Sequence, residues 1–227
     1  EAGPHPVVAS AARELLNTTP EDFEWVWEDY IARGSITLLA GSPKSGKSTL
    51  LFGLINALTN GNTTYIGHRI TPTNIVMLTE EGPVTLRPKL EHLHERALDN
   101  LHIVTRDDAT PRAFTWPEAT REAVTEAHDH QAGVVIIDTL SFWSHIKDEN
   151  DATEMGNAIT ALAEITRHNL AVVLVHHHRK TGGDHELAVR GNTALSAAVD
   201  MLINLVRPTT GTDEPEDNDT RIRELRG

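Results

Sequence analysis

From residue 35 onward, short apolar runs alternate with stretches of helical periodicity. Ile36–Ala40, Ile75–Thr79, Leu101–Val104, Val134–Asp138, Ala171–His176 and Met201–Val206 read as strands. Several are apolar at consecutive positions, as parallel strands covered on both faces require. Lys47–Thr59, Val84–Ala97, Pro117–His130 and Ala152–His168 read as helices between them. In the last of these, Met155, Ile159, Leu162 and Ile165 fall on one face. Pro117 suits the first turn of a helix, and Gly61 sits where a C-terminal cap belongs. The alternation predicts an α/β fold, with a mostly parallel sheet flanked by helices.

The two ends differ from this pattern. Residues 1–31 are rich in Pro, Ala and acidic residues and close on Phe23, Trp25, Trp27 and Tyr30. They read as an N-terminal extension whose aromatics pack onto a main domain spanning 32–227. At the other end, Pro208–Asp219 is a polar loop, and Thr220–Leu225 mixes Arg with apolar residues like the return strand of an edge hairpin.

Composition narrows the function classes. The 227 residues carry 33 Asp and Glu against 20 Lys and Arg, a formal net charge of −13, and no cysteine. Without cysteine there is no disulfide scaffold, thiolate metal site or cysteine nucleophile. The acidic balance argues against coating nucleic acid or anionic membrane by bulk charge. No apolar stretch approaches the ~20 residues of a spanning helix, and no basic segment precedes an apolar one at the start. The chain opens on Glu1, as a fragment would, and the expected setting is the cytoplasm.

Gly41-Ser42-Pro43-Lys44-Ser45-Gly46-Lys47-Ser48 fits G-x-x-x-x-G-K-[ST], between an expected strand and an expected helix. There the backbone curls so that successive N–H groups face phosphate oxygens, and the helix N-terminus adds partial positive charge. The nucleotide-binding set is Gly41, Ser42, Pro43, Lys44, Ser45, Gly46, Lys47, Ser48 and Thr49. Lys47 can reach the β- and γ-phosphates, the Ser48 hydroxyl can ligate Mg²⁺, and Lys44 adds a cation at the loop tip. Val134–Asp138 ends an apolar strand on a carboxylate, so Asp138 is placed to serve the same Mg²⁺. Glu80 and Glu81 follow another strand end, where ligands gather in open α/β sheets. Adjacent side chains there diverge, so one of them can orient and polarise an attacking water; Glu80 is favoured, with Glu81 second.

Three histidines, His176, His177 and His178, follow the strand Ala171–Val175. Alternation along a strand keeps the three from converging on one ion, which disfavours zinc. A neutral hydrogen-bonding role beside the γ-phosphate fits better. The following loop, 179–192, carries Arg179, Lys180 and Arg190 with Gly182 and Gly183, the composition of a loop that switches with phosphate state.

With these residues placed, the stretch from about Glu21 to Arg226 resembles the RecA-like P-loop ATPases, and within them the hexameric replicative helicases of the RepA type. The matching segments are 31–40 leading into Gly41–Thr49, Leu78-Thr79-Glu80-Glu81, and Ile136-Ile137-Asp138-Thr139. Val173 through Lys180, then Arg190 through Leu195 and Val199-Asp200, complete them. The resemblance implies a RecA-like core with a C-terminal edge hairpin. It also implies ATP and Mg²⁺ as ligands and a homo-oligomeric ring, a hexamer, around single-stranded DNA. By position, Lys47 binds phosphate, Ser48 and Asp138 serve Mg²⁺, Glu80 activates water and His177 senses the γ-phosphate. The loops after Asp138 and His178 would face the channel, with Arg179, Lys180 and Arg190 toward DNA.

Two features set this chain apart. Family members continue past the final hairpin into a Lys-x-Arg segment that enters the neighbour's site, and this sequence stops at Gly227, so slow hydrolysis is expected. The loop 139–156 carries Asp148, Glu149, Asp151 and Glu154 against Lys147, which tracks phosphates poorly. An alternative is therefore a nucleotide-dependent regulatory or assembly module of the KaiC-like type. A small-molecule phosphotransferase would need an arginine-bearing lid, and no such cluster stands in the sequence.

Overall fold

The structure, a computed structural model, describes residues 11–18, 22–41, 44–109, 115–148, 151–177, 193–206 and 224–226. In chain order, α1 (Ala12–Thr18) leads to β1 (Trp25–Trp27), β2 (Ile31–Ala32), β3 (Ile36–Gly41) and α2 (Lys47–Asn60). Then come β4 (Thr64–Tyr65), β5 (His68–Arg69), β6 (Asn74–Thr79), α3 (Pro83–Leu90), α4 (Glu95–Asn100), β7 (Leu101–Thr105) and α5 (Arg106–Ala109). The second half runs α6 (Trp116–Asp129), β8 (Ala132–Asp138), α7 (Leu140–Trp143), α8 (Ala152–Thr166) and β9 (Ala171–His177). It closes with α9 (Thr193–Ala197), β10 (Met201–Val206) and β11 (Glu224–Arg226).

The main sheet has seven strands in the order β11-β10-β3-β9-β8-β6-β7. All neighbours pair in parallel except β11, which runs antiparallel to β10 at the edge. This is a RecA-like α/β core. Alternation along its central strands divides the interior into two layers. Leu38, Ala40, Val135, Ile137, Val172 and Leu174 face one layer with α6 and α8. Leu39, Val134, Ile136, Val173 and Val175 face the other with α2.

Local chemistry fixes the helix ends. Thr115 and Glu118 form a reciprocal capping box at the start of α6, with Pro117 in its first turn. Asp151 accepts from the N–H groups of Thr153 and Glu154 at 2.7 and 3.1 Å, capping α8. Gly61 closes α2 in the left-handed region, φ 87°. Met155, Ile159, Leu162 and Ile165 are all buried, as their spacing predicts. Asp200 joins β10 to β3: its carboxylate accepts from Ile36 N–H at 2.8 Å.

Three expectations change in detail. The single helix over Val84–Ala97 is two helices, α3 and α4. Pro88 lies inside α3 and has no N–H for the preceding turn, and α4 restarts from an extended His94 whose N–H is held by Asn56 Oδ1 at 2.9 Å. Short β1–β2 and β4–β5 pairs stand where no strand was expected. Trp27, from β1, is 1% exposed and packs in the same layer as Leu39 and Met77, while Phe23 is 63% exposed. Of the expected return strand, residues 220–223 lie outside the described residues, and β11 supplies the pairing with β10.

Candidate functional site

β3 delivers Gly41 to the carboxyl edge of the sheet, and α2 starts from Gly46 in the left-handed region, φ 98°. A Cβ on Gly41 would stand 2.7 Å from the Leu205 carbonyl oxygen and 2.8 Å from Ser45 Oγ, so only glycine fits there. Ser42 and Pro43 lie outside the described residues. Ser45 is buried, whereas Lys44, Ser48 and Thr49 are exposed, the last two on the first turn of α2.

Lys47 is 3% exposed and its Nζ donates to the Gly41 carbonyl at 2.6 Å. Burial lowers its pKa to about 8, against a pull upward from the Asp138 carboxylate. The ammonium is thus buried and held by a backbone oxygen at the end of β3, where an incoming phosphate could take over that hydrogen bond.

Asp138 ends β8 opposite Thr79, the last residue of β6, and is 8% exposed. Burial pushes its carboxyl up to about 6, helped by Glu81 and Glu80 and opposed by Lys89 and Lys47. Glu80, one residue past β6, donates its N–H to the Asp138 carbonyl at 2.7 Å. Its Oε2 accepts from Thr139 Oγ1 at 3.1 Å.

Glu81 is held elsewhere, in an ion pair with Lys89 of α3. The adjacent glutamates therefore diverge as expected, one tied to the end of β8 and the other to a helix. A cavity of about 360 Å³ opens beside them, lined by Glu80, Glu81, Gly82, Thr85, Arg106 and Phe142.

Lys47, Asp138, Glu80 and Glu81 thus come together at the carboxyl ends of parallel strands, the usual place for ligands in such sheets. β9, lying between β3 and β8, brings His177 into register with Gly41 and a buried His176 into register with Ala40. His178, Arg179, Lys180 and Arg190 lie outside the described residues. Among the described residues, no group of three or more His, Asp or Glu is placed to hold a metal ion. The oxygen set offered by the Ser48 hydroxyl and the Asp138 carboxylate suits a hard cation such as Mg²⁺.

A family model for an AAA domain matches residues 4–183. The chain belongs to the AAA domain family. The matched residues of this AAA domain include the phosphate loop, Glu80, Asp138 and His177. A nucleotide-binding, ATPase-type function follows from that membership. No curated protein matches the sequence. Among the described residues, no helix is long and apolar enough to cross a membrane.

Sequence reasoning passed over Thr139, Arg106, Phe142 and Lys89 of the AAA domain. A faint signal existed for Lys89. Pro83 starts α3 directly after Gly82, and positions 85 and 89 share a helical face. Side chains on that face lean back toward the helix N-terminus, where Glu81 stands.

Proposed function

We propose that this AAA domain hydrolyses ATP with Mg²⁺, and that it works as the motor of a RepA-type DNA helicase or replication protein. The observation that carries hydrolysis is the placement of Glu80 beside Asp138, at strand ends that face the same carboxyl edge as the phosphate loop. Lys47 would pass from the Gly41 carbonyl to the β- and γ-phosphates. Ser48 and Asp138 would hold Mg²⁺, which neutralises phosphate charge. Glu80 would accept a proton from the attacking water, its carboxylate oriented by Thr139. His177, level with Gly41, is the candidate sensor of the γ-phosphate.

The helicase assignment rests on the order and spacing of the motifs and on the cations Arg179, Lys180 and Arg190. The working unit is a homo-oligomeric ring, a hexamer, with residues 32–227 as the ATPase domain and 1–31 as an extension. A ring repeats a few loop cations around one strand, which reconciles single-stranded DNA binding with a net charge of −13.

That charge, with the acidic residues around Asp148 and Asp151, also favours a second reading: an ATP-dependent assembly module that does not unwind DNA. Mg-ATP turnover with and without single-stranded DNA, over a salt series, separates the two. A helicase motor shows stimulation that fades steeply with salt. The same rate with and without DNA, and no salt-dependent DNA binding, contradicts the helicase reading.

A further inference from the structure

Lys89 has no place in the phosphate-loop motifs, yet it stands inside the carboxylate cluster of the site. Its ammonium pairs with Glu81 and lies 5.6 Å from the centre of the Phe52 ring. Both members of the pair are mostly sheltered, at 29% and 25% side-chain exposure. Phe52 belongs to α2, the helix that carries Lys47, so the pair bridges the helix after Glu81 to the phosphate-loop helix. Both charges also act on Asp138: Glu81 raises its pKa and Lys89 lowers it.

The site then sets three carboxylates, Asp138, Glu80 and Glu81, against the ammonium groups of Lys47 and Lys89, while the Arg106 guanidinium at the cavity wall is paired with Asp107. A nucleoside triphosphate brings further negative charge to that balance. An uncompensated Glu81, half-buried and close by, would repel the phosphates and compete for Lys47. Glu80 is already engaged by Thr139, so Glu81 is the carboxylate that must be withdrawn.

We propose that Lys89 is a positioning residue of the ATPase site, sequestering Glu81 in an ion pair so that Glu80 alone is presented to the nucleotide. The inference rests on the hydrolytic reading given above. Lys89 acts through Glu81 and makes no contact with the phosphates. Its loss is therefore felt as misplaced negative charge, and removing that charge repairs it.

The test uses the full chain with Mg-ATP, reading equilibrium Kd together with kcat and KM for Lys89→Met, Lys89→Arg and the double variant Lys89→Met/Glu81→Gln. Lys89→Met should raise Kd and KM by about tenfold and lower kcat by less, while Lys89→Arg keeps most of the affinity. The double variant, with no lone half-buried carboxylate to disturb folding, should bind Mg-ATP about tenfold more tightly than Lys89→Met. A double variant that binds as weakly as Lys89→Met overturns the proposal, because Lys89 would then serve the phosphates or the fold directly. So does a Lys89→Met protein that binds and turns over like the wild type. Wild-type protein that binds Mg-ATP without turning it over would instead count against the hydrolytic reading, and the Kd comparison would still decide the role of Lys89.

Discussion

The Glu80 N–H donates to the Asp138 carbonyl at 2.7 Å, fastening the residue just past β6 to the last residue of β8. This bond follows directly on the ladder in which Thr79 pairs with Asp138, so Asp138 lies in the sheet and Glu80 is anchored to its end. Sites built on strand ends hold their geometry more tightly than sites built on loops. Only the side chains remain to be oriented.

Thr139 supplies that orientation for Glu80 through its Oγ1, at 3.1 Å from Oε2. Thr139→Val keeps the shape and removes the donor. Since the bond is partly exposed, kcat for ATP should fall about three- to tenfold with little change in KM. Steady-state phosphate release checks this; an unchanged kcat would show that Glu80 needs no such support.

Lys47 is an ammonium buried at a cost to the nucleotide-free fold. Its folded pKa, about 8, lies below that of a free lysine, so the unfolded chain holds its proton more tightly. The penalty is full at about pH 7 and is relieved as pH rises from about 8 to beyond 10. Lys47→Met should therefore stabilise the nucleotide-free protein by about 1–3 kcal/mol, or about 2–8 °C in Tm, while abolishing ATP binding. Thermal unfolding and nucleotide titration of the same sample give both numbers.

Asp138 titrates in the opposite sense. Its carboxyl is pushed up to about 6, above the ~3.9 of a free aspartate, so protonation favours the nucleotide-free fold. That contribution is full below about pH 4 and is lost as pH rises through about 6. Mg²⁺ ligation needs the ionised form. Mg-ATP affinity should therefore weaken by up to about tenfold per pH unit below about pH 6. Equilibrium titrations from about pH 5 to about pH 8 test this, and a flat profile would remove Asp138 from the metal site.

Much of the core was legible because the sheet writes itself locally. Runs such as Val134–Ile137 are apolar at every position since both faces of β8 are covered, and the six parallel strands follow from such runs to within two residues at either end. The strand before Gly41 and the helix from Lys47 were legible for a related reason: the motif itself is read between a strand and a helix. The two-residue strands β2, β4 and β5 are too short to carry any periodicity, and their pairing is decided by packing of Trp27 and Tyr65. The break between α3 and α4 was hidden because Val84–Ala97 keeps its apolar spacing across it. Divergence of Glu80 and Glu81 followed from their adjacency, but their partners did not. Thr139 is 59 residues from Glu80, and Lys89 is eight residues from Glu81, across the start of α3 at Pro83.

The proposed role of Glu80, activating the water that attacks ATP, is tested by comparing ATP binding and phosphate release in wild type and Glu80→Gln. The exchange keeps the size of the side chain and its acceptor for Thr139 while removing the base. Binding should stay within about threefold of wild type while turnover falls by about 10²–10⁴. A Glu80→Gln protein that hydrolyses Mg-ATP at the wild-type rate would contradict the account.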